Sequence, residues 1–540
     1  MSDKPNIVFL FNDHQVYYRH GWDKGPRIQR PAFDKLASEG VVFERSYTAC
    51  PLCGPARRTV LTGLFPHNHK ELRNDIEAPY DREVYLDALA KAGYKNYYYG
   101  KWHAGPGTAL DHNCEGFSYP SYGNPYTTSE YKDYLKKNNL PEAEHLIERG
   151  FWPPVNFEGK PSPLQEGKPF KCSGAWCNEH ASGLTVTPKE THETFFLASL
   201  ACDKLRELAG SKDKKPFSLR VDFWGPHQPY FPTREFADLY KPQDIPEYGN
   251  FRDDLKGKPD IYFAEGNYPL QDGTLRLIVP SALPWSEWQK VLARAYAHTT
   301  MVDAAGGMIL DALKEYGLTD NTLIVWTTDH GDALACHGGH FDKSSYMPEE
   351  MIRVPMALSW PGKVPAGQKL KQPVSNIDLA PTFLDAAGTK FEIDVDGKSL
   401  IPLCTGADKD WREDIMCETH GHGEIHLGRA IMSDRYKYVR NFGDIDELYD
   451  LENDPYELKN LIDDPECKEV LADMKGSLAD WQRKTSEVSL KSSLPVMKEQ
   501  LVRFENIVKS KNVGHKILSN VRTKLAKMER EIEKLESVPE

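Results

Sequence analysis

The sequence predicts an α/β protein with a large, mostly parallel sheet flanked by helices, followed by a smaller antiparallel α+β subdomain and C-terminal helices. Three observations support this fold class. Short apolar runs recur along the chain, several of them follow an amphipathic helix and a glycine, and the pattern changes after about residue 405. Repeated helix-then-strand units are typical of parallel sheets. We therefore expect a large domain over residues 1–405 and a smaller one over residues 406–540.

Four apolar runs are expected to form strands of the large sheet. NIVFLF (6–11) opens the chain, and YKNYYYGK (94–101) follows the helical segment YLDALAKAG. FSLRVDF (217–223) follows a helix that begins ETFFLASL, and TLIVWTTD (322–329) follows AAGGMILDALKEYG. Each run is short and bounded by polar residues, which favours a buried strand over a longer helix.

The remaining segments are less regular. Residues 105–185 and 240–285 are rich in Gly, Pro, Tyr and Asn with weak periodicity, so we expect ordered insertions that line a pocket. Their aromatic stretches 117–131 and 151–161 are compatible with stacking on sugar rings and equally with packing a surface. For the charged helical segment 466–535 we expect a solvated face, with packing on the domain or a homo-oligomer contact as the alternatives.

Composition excludes several classes of protein. Hydrophobic residues make up 40% of the 540 residues and the formal net charge is −13, which argues against broad nucleic-acid binding. Ten cysteines without ribbon spacing do not make a disulfide scaffold. The apolar run at 7–11 is too short to span a membrane, and no leader pattern precedes it. We expect a cytoplasmic protein, unless a leader has been removed, with no membrane or nucleic-acid partner.

Polar residues follow each of the four predicted strands. The strand ends read NDHQ, KWH, WGPHQP and TTDHGD. Because ligands of such sheets bind beyond the carboxyl ends of the strands, these residues are expected to share one site. Carboxylates and imidazoles together would hold a divalent cation, and the candidate ligands are Asp13, His14, Asp329 and His330.

Cationic and imidazole side chains accompany these candidate ligands. Lys101 and His103 lie two apart on an extended stretch, so they point to the same side. His227 lies between prolines, while Arg57 and Lys343 come from other parts of the chain. Together they would form a cationic cup beside a metal, which suits a tetrahedral oxyanion ester, either sulfate or phosphate.

Residues 53–57 read Cys-Gly-Pro-Ala-Arg, which fits the pattern Cys-x-Pro-x-Arg, and Leu-Thr-Gly follows at 61–63. With GKWHAG, GPHQPY, TTDHGD and IRVPMALSWPG, the chain resembles the type I, formylglycine-dependent sulfatases of the alkaline-phosphatase superfamily over most of its length. The resemblance implies an alkaline-phosphatase-like sheet. Cys50 fails the pattern because Leu52 stands at plus two, so we expect a packed thiol there. Zinc binding or redox chemistry by Cys50 with Cys53 is not supported, because no second cysteine pair lies at ribbon spacing.

The resemblance implies a role for each residue of the cup. A separate maturation enzyme would oxidise Cys53 to formylglycine, whose hydrate carries two hydroxyls on one carbon. One hydroxyl would attack sulfur, and His227 or Lys343 would protonate the leaving oxygen. Deprotonation of the second hydroxyl, helped by His103, would then release sulfate. Arg57 and Lys101 would hold the hydrate, and Lys101, Lys343 and His227 would bind the sulfate.

The resemblance also implies the metal site. Asp13, Asp329 and His330 would coordinate the ion together with modified Cys53, while His14 either ligates or orients the site. Many members of the family have Asp where His14 stands and Asn where His330 stands. Calcium is expected on family grounds, and the two imidazoles make manganese or zinc the alternatives.

The sequence leaves the substrate open. We expect a sulfate ester of a carbohydrate, small molecule or oligosaccharide, in preference to a small aryl sulfate. A phosphonate monoester or phosphodiester hydrolase of the same superfamily is the main alternative, and a non-catalytic binding protein is a further one. Asn74, Asp75 and His112 are candidate substrate contacts. A histidine-rich loop is expected to be solvated, with a substrate subsite as the alternative; its histidines are His420, His422 and His426.

Overall fold

A computed structural model describes most of the 540-residue chain. The described residues are 4–17, 25–74, 76–120, 123–150, 165–172, 181–264, 283–422 and 426–487, with scattered residues beyond 487. Three sequence-based expectations fall outside them: the candidate contact Asp75, the aromatic stretch 151–161 and most of the C-terminal helical segment. None of the helices in the described part combines the length and the apolar character needed to cross a bilayer.

The described residues form strands and helices that alternate along the chain. The strands are β1 (Asn6–Asp13), β2 (Val41–Phe43), β3 (Ser46–Tyr47), β4 (Lys95–Lys101), β5 (Cys114–Tyr119), β6 (His145–Gly150), β7 (Pro169–Phe170), β8 (Ala181–Thr185), β9 (Phe217–Pro226), β10 (Thr322–Thr328), β11 (Ala357–Ser359), β12 (Gln368–Leu370), β13 (Val374–Ser375), β14 (Ile415–Thr419), β15 (Gly428–Met432), β16 (Tyr436–Asn441) and β17 (Glu447–Asp450). The helices are α1 (Pro31–Ser38), α2 (Cys53–Thr62), α3 (Pro66–His69), α4 (Tyr85–Lys91), α5 (Ser129–Lys137), α6 (Glu193–Gly210), α7 (Arg234–Ala237), α8 (Asp260–Ala264), α9 (Trp285–Glu315), α10 (Cys336–Gly339), α11 (Glu349–Ile352), α12 (Leu379–Ala386), α13 (Ile401–Cys404) and α14 (Lys468–Lys484).

Eight strands form the large sheet, in the order β12-β2-β11-β10-β1-β9-β4-β5. All neighbours are parallel except β11, which runs antiparallel to both β10 and β2. The predicted α/β fold with a mostly parallel sheet is confirmed. The four strands predicted from the sequence are β1, β4, β9 and β10, and they lie side by side at the centre of the sheet.

Strand β1 shows how the sheet divides the interior. Its side chains alternate between two hydrophobic clusters, because successive residues of a strand point to opposite faces. Val8 and Leu10 pack with α6 and α9 on one face, while Phe9 and Phe11 pack with α4 and α12 on the other. Both faces are therefore covered by helices, as expected of a parallel sheet.

Helix α9 crosses one face of the sheet and organises the helices on it. Gly306 allows this close approach, since a Cβ there would lie 2.2 Å from the ring of Trp326. One turn earlier, the carboxylate of Asp303 accepts the backbone N–H groups of Ala32 and Phe33, at 2.9 and 2.8 Å. This side chain from α9 therefore caps the first turn of α1.

The C-terminal part contains the predicted antiparallel sheet, with the order β14-β15-β16-β17. Helix α14 packs on it through Met474, Leu478 and Trp481. The same hydrophobic cluster includes Tyr47 and Phe65 from the large sheet's side of the molecule, so the two sheets share a core. The boundary at residue 405 stays a prediction.

The region 105–185 contains more regular structure than its composition indicated. Residues 114–119 form β5, the edge strand of the large sheet, so describing them as part of an insertion is wrong. The region also contains α5 and a small sheet with the order β7-β6-β8, which β8 completes. These strands are two to six residues long, and periodicity over so few residues is too weak to detect.

Candidate active site

The side chains at the carboxyl ends of β1, β4, β9 and β10 meet at one edge of the large sheet. Helix α2 begins above this edge at Cys53, and the loop after β10 supplies Lys343. None of the side chains gathered here is more than 5% exposed. They are Asp13, His14, Cys53, Arg57, Lys101, His103, His227, Asp329, His330 and Lys343.

Cys53 lies at the centre of this group. Its Sγ atom is 3.1 Å from His330 Nε2, and 3.6 Å from both Asp13 Oδ1 and His14 Nε2. Burial, followed by the charge of Asp13, raises the pKa of the Cys53 thiol well above its ordinary value. The thiol is therefore held protonated among polar partners, a state in which a cysteine is a poor nucleophile.

Arg57 follows one turn later on α2 and binds three buried carboxylates. Its Nε donates to Asp329 Oδ2 at 3.0 Å, and its Nη1 donates to Asp222 Oδ2 at 2.8 Å. Its Nη2 lies 3.2 Å from Asp13 Oδ2. These carboxylates raise the pKa of Arg57 despite its burial, so the guanidinium remains charged. The sequence analysis missed Asp222, although a charged residue inside an apolar run was a signal for it.

Lys101 pairs with Asp13 at the end of β4. Burial raises the pKa of the Asp13 carboxyl, but Lys101 and Arg57 lower it further, and the result lies well below its usual range. The Lys101 ammonium also lies 4.3 Å from the centre of the Trp224 ring, which offers a favourable contact to a cation. Asp13 is therefore a carboxylate at neutral pH and is available to a metal.

His14 is oriented by carboxylates that the sequence analysis did not identify. Its Nδ1 lies 3.3 Å from Asp332 Oδ2 and 3.5 Å from Asp342 Oδ1, while its Nε2 lies 3.7 Å from Asp13 Oδ1. A carboxylate behind one ring nitrogen is the arrangement that typically orients a metal-ligating imidazole. His14 is thus oriented with Nε2 toward the other candidate ligands. The signal available in the sequence was TTDHGD, where Asp332 follows His330 by two residues.

The imidazole rings of His330 and His227 are each fixed by a backbone carbonyl. His330 Nδ1 is 2.7 Å from the carbonyl of Gly331, and His227 Nδ1 is 2.6 Å from the carbonyl of Gln228. Their Nε2 atoms then face Cys53 and Lys343 respectively, the latter at 3.3 Å. Burial lowers the pKa values of both rings, so they are neutral, the form that binds metals.

The geometry fits one divalent cation. The donor atoms of Asp13, Cys53, Asp329 and His330 all lie within 4.8 Å of one another, and His14 joins an overlapping group. Ions bound at about 2.0–2.4 Å from each ligand occupy spaces of this size. The donors combine carboxylate oxygens with imidazole nitrogens, a mixture that suits manganese or zinc better than calcium.

Two candidate substrate contacts have other partners. Asn74 Oδ1 accepts the backbone N–H of Gly54 at 2.9 Å, so it holds the first turn of α2 beside Cys53. His112 pairs with Asp87 at 3.1 Å and stacks on Trp102 at 5.4 Å. The contacts of His112 are therefore with a neighbouring aromatic cluster rather than with the group around Cys53.

The histidine-rich loop after β14 is not the solvated loop expected. His420 is fully buried beside Glu418 and Arg429. His426 Nε2 lies 2.8 Å from Asn441 Oδ1, also buried. Only His422 is partly exposed, and its backbone N–H donates to Ser345, two residues after Lys343. The expectation is therefore wrong for His420 and His426.

A second buried polar network lies just after α2. His67 Nδ1 is 2.7 Å from Glu418 Oε2, and the backbone N–H of His67 donates to Oε1 of the same carboxylate at 2.7 Å. Arg429 lies 3.4 Å from Glu418 and also pairs with Glu487. These charges are balanced by one another, so the network joins the segment after α2 to the C-terminal sheet. Cys50, as expected, is a buried free thiol nearby.

Comparison with known proteins gives a consistent result. A sulfatase family model matches residues 5–389, and a model described as the C-terminal part of N-sulphoglucosamine sulphohydrolase matches residues 336–484. The N-acetylglucosamine-6-O-sulfatase of Bacteroides thetaiotaomicron is 25% identical, over 89% of this chain and 87% of that protein. The arylsulfatase of Clostridium perfringens is 28% identical, over 86% of this chain and 92% of that protein.

A solved structure shows the same fold. The phosphonate monoester hydrolase of Agrobacterium radiobacter superposes with a TM-score of 0.70 at 20% identity, over 89% of this chain and 96% of that one. At that identity the likeness concerns the fold alone. The sulfatase model, in contrast, covers more than half of the chain. This protein is therefore a sulfuric ester hydrolase that belongs to the sulfatase family.

Proposed function

We propose that the protein hydrolyses the sulfate ester of a carbohydrate to an alcohol and inorganic sulfate, with formylglycine at position 53 and a divalent cation beside it. The observation that carries this proposal is the position of Cys53 Sγ, within 3.6 Å of Asp13, His14 and His330. A buried, protonated thiol is a poor nucleophile in that environment. An oxygen nucleophile at the same place would lie beside both a cation and its positioning groups.

The cation would be held by Asp13, His14, Asp329 and His330, together with the group at position 53. When bound, it would stabilise negative charge on the attacking oxygen. Calcium, which the family resemblance favours, prefers oxygen ligands throughout, and the two imidazole nitrogens support manganese or zinc instead. Asp332 supports the same assignment, because it holds His14 with Nε2 toward the other ligands.

Formylglycine, when hydrated, supplies two hydroxyls on one carbon, one for attack and one whose deprotonation releases sulfate. Arg57 and Lys101 are placed to hold that group. Lys343 Nζ lies 3.3 Å from His227 Nε2, so a charged donor and a neutral imidazole share one corner of the site. Lys343 binds sulfate oxygens there, and this pair protonates the leaving oxygen. His103 takes the proton of the second hydroxyl.

The substrate class rests on the relatives and on site chemistry. A relative named N-acetylglucosamine-6-O-sulfatase, and a C-terminal model named for N-sulphoglucosamine sulphohydrolase, support a sulfated sugar. A phosphonate monoester or phosphodiester hydrolase is the second candidate, because the Asp329-His330 pair serves that chemistry equally well. A non-catalytic binding protein is disfavoured, since every position of the site holds a competent side chain.

Release of free sulfate from a panel of esters tests this proposal. The panel contains sulfated mono- and oligosaccharides, an aryl sulfate and a phenylphosphonate ester, and the protein is produced together with a formylglycine-generating enzyme. We expect sulfate release from a sugar sulfate, its loss in Cys53→Ala and its retention in Cys50→Ala, the matched control. Preference for the phosphonate by a large factor would overturn the sulfatase assignment.

Mass spectrometry of the peptide that contains residue 53 tests the modification directly. We expect a formylglycine residue in active protein, and an unmodified thiol in fully active protein would contradict the mechanism. The maturation enzyme as a partner, a cytoplasmic location and a possible homo-oligomer remain predictions. Fractionation of the producing cells and sedimentation of the purified protein address the last two.

A further inference from the structure

The loop after β4 holds His103 in a strained backbone conformation. The φ angle of His103 is 41°, in the left-handed region that residues other than glycine rarely adopt. Such a conformation persists only where the surrounding structure imposes it. The contacts of this loop therefore identify the residues that decide where His103 points.

Two donors converge on the carbonyl group directly after His103. Arg58 Nη1 donates to the carbonyl oxygen of Ala104 at 3.1 Å, and the hydroxyl of Tyr80 donates to the same oxygen at 2.7 Å. A carbonyl oxygen has two lone pairs, so both are engaged. The guanidinium carbon of Arg58 also lies 3.2 Å from the centre of the Tyr80 ring, which joins the two donors into one unit. We call this unit the Ala104 clamp.

The residue after Ala104, Gly105, has no room for a side chain. Gly105 has a φ of 101°, and a Cβ there would lie 2.9 Å from Arg58 Nη1 and 3.2 Å from Glu71 Oε2. The buried Glu71 carboxylate in turn accepts the backbone N–H of Ala78 at 2.7 Å. The space beside the clamp is therefore filled. Arg58 Nη2 also donates to the carbonyl oxygen of Pro79 at 2.8 Å.

The clamp ties the His103 loop to the helix of the nucleophile. Arg57 and Arg58 are consecutive on α2, so their side chains leave the helix about 100° apart. Arg57 turns to the carboxylates of the site, and Arg58 turns to the loop. The backbone of His103 packs against the first turn of the same helix, since a Cβ on Gly54 would lie 3.7 Å from the His103 carbonyl oxygen.

From this geometry we propose that Arg58, with Tyr80, is a positioning residue that fixes His103 relative to position 53. The inference rests on the proposed function, in which His103 takes the proton whose removal releases sulfate. A structural role confined to the segment Glu77–Tyr80 is the alternative. The two differ in what they predict: only positioning makes sulfate release slow while release of the alcohol continues.

The experiment compares Tyr80→Phe and Arg58→Gln with Tyr94→Phe. Tyr94 is the matched control, because its hydroxyl also donates to a backbone carbonyl, that of Pro5 at 2.8 Å, away from the site. Hydrogen exchange of the amides of residues 102–105 and 107 is measured in a Cys53→Ala background, so it needs no modified residue. We expect exchange about fivefold faster in Tyr80→Phe and roughly tenfold or more in Arg58→Gln, and no change in Tyr94→Phe.

Rapid-quench turnover of the modified enzyme then separates the two products. In the first turnover, we expect the alcohol to form at the wild-type rate, sulfate to be released about fivefold more slowly in Tyr80→Phe, and the quenched residue-53 peptide to retain sulfate by mass spectrometry. Unchanged exchange would overturn the clamp. A parallel fall in both products would overturn the positioning role. Wild-type protein that releases no sulfate would refute the proposed function, while the exchange data would still decide the clamp.

Discussion

The His67–Glu418 pair leads to a quantitative prediction about stability and pH. His67 follows the nucleophile helix, and Glu418 lies on β14 of the C-terminal sheet, with 2.7 Å between Nδ1 and Oε2. Burial alone lowers the pKa of His67, but the charge and hydrogen bond of Glu418 outweigh it and raise the pKa from 6.5 to about 9. The perturbation is His67→Gln, which keeps a hydrogen-bonding side chain and removes the titration.

The raised pKa fixes both the size and the direction of the effect. The rise in pKa from 6.5 to about 9 corresponds to at most about 3.4 kcal/mol of folding free energy, at 1.36 kcal/mol per pKa unit. Because the folded pKa is the higher one, this stabilisation is complete below pH 6.5 and is lost as pH rises to about 9. An unfolding entropy of about 2.1 cal/mol/K per residue converts this loss to a Tm change of about 3 °C for 540 residues.

Calorimetric Tm values of wild type and His67→Gln between pH 6 and 9.5 test this prediction. We expect the Tm advantage of the wild type to fall by up to about 3 °C across this range. His69→Gln is the control, because burial lowers the pKa of His69 well below 6.5 and its contribution is constant above that pH. A wild-type advantage that is constant, or that grows with pH, would refute the reasoning.

Three further predictions concern single side chains. Arg57→Lys leaves one ammonium where a guanidinium meets three carboxylates. We therefore expect at least ~100-fold slower sulfate release and a lower Tm. Near-wild-type values of both would contradict the role of Arg57. Asp332→Asn removes the carboxylate behind His14 and is expected to weaken metal binding about 10- to 100-fold, measured by metal titration of the purified protein; unchanged affinity would argue against His14 as a ligand. Asp303→Ala removes the cap of α1 and should cost about 1–2 kcal/mol, measured by denaturant unfolding; a loss below ~0.3 kcal/mol would show that water replaces the cap.

The centre of the fold could be predicted because its signals are local. Strands β1, β4, β9 and β10 are largely buried, mostly apolar runs next to helices, and parallel strands place their polar ends at one edge. The proposed nucleophile position was predicted from five consecutive residues, 53–57. Edge strand β5 was missed because exposed residues interrupt its apolar pattern, which leaves no long buried run to detect.

The supporting residues could not be predicted because their directions depend on contacts between distant segments. Asp332 and Asp342 both lie within 3.5 Å of His14 Nδ1, and His14 has a left-handed backbone with a φ of 60°, which the local sequence does not reveal. His112 lies near the site in sequence, but its side chain turns to Asp87. His420 lies in a polar, glycine-containing stretch, yet it is buried beside Glu418 and Arg429 of the C-terminal sheet. Composition predicts a solvent-exposed side chain at such a position, but tertiary contacts decide whether it is buried.

The complete burial of α2 has a consequence for the order of events during synthesis. All ten residues from Cys53 to Thr62 are buried, and His14 bonds Asp329 across 315 positions of the chain. Under the function proposed above, a maturation enzyme would therefore have to reach the Cys53 thiol before the central strands pair. At about 5–20 residues per second, the roughly 270 residues from Cys53 to the end of β10 take on the order of 10–50 s to emerge. Under the proposed function, that interval is the time available for oxidation of Cys53 during synthesis, and production faster than the oxidising enzyme can follow is expected to leave a buried, unmodified thiol in the folded protein.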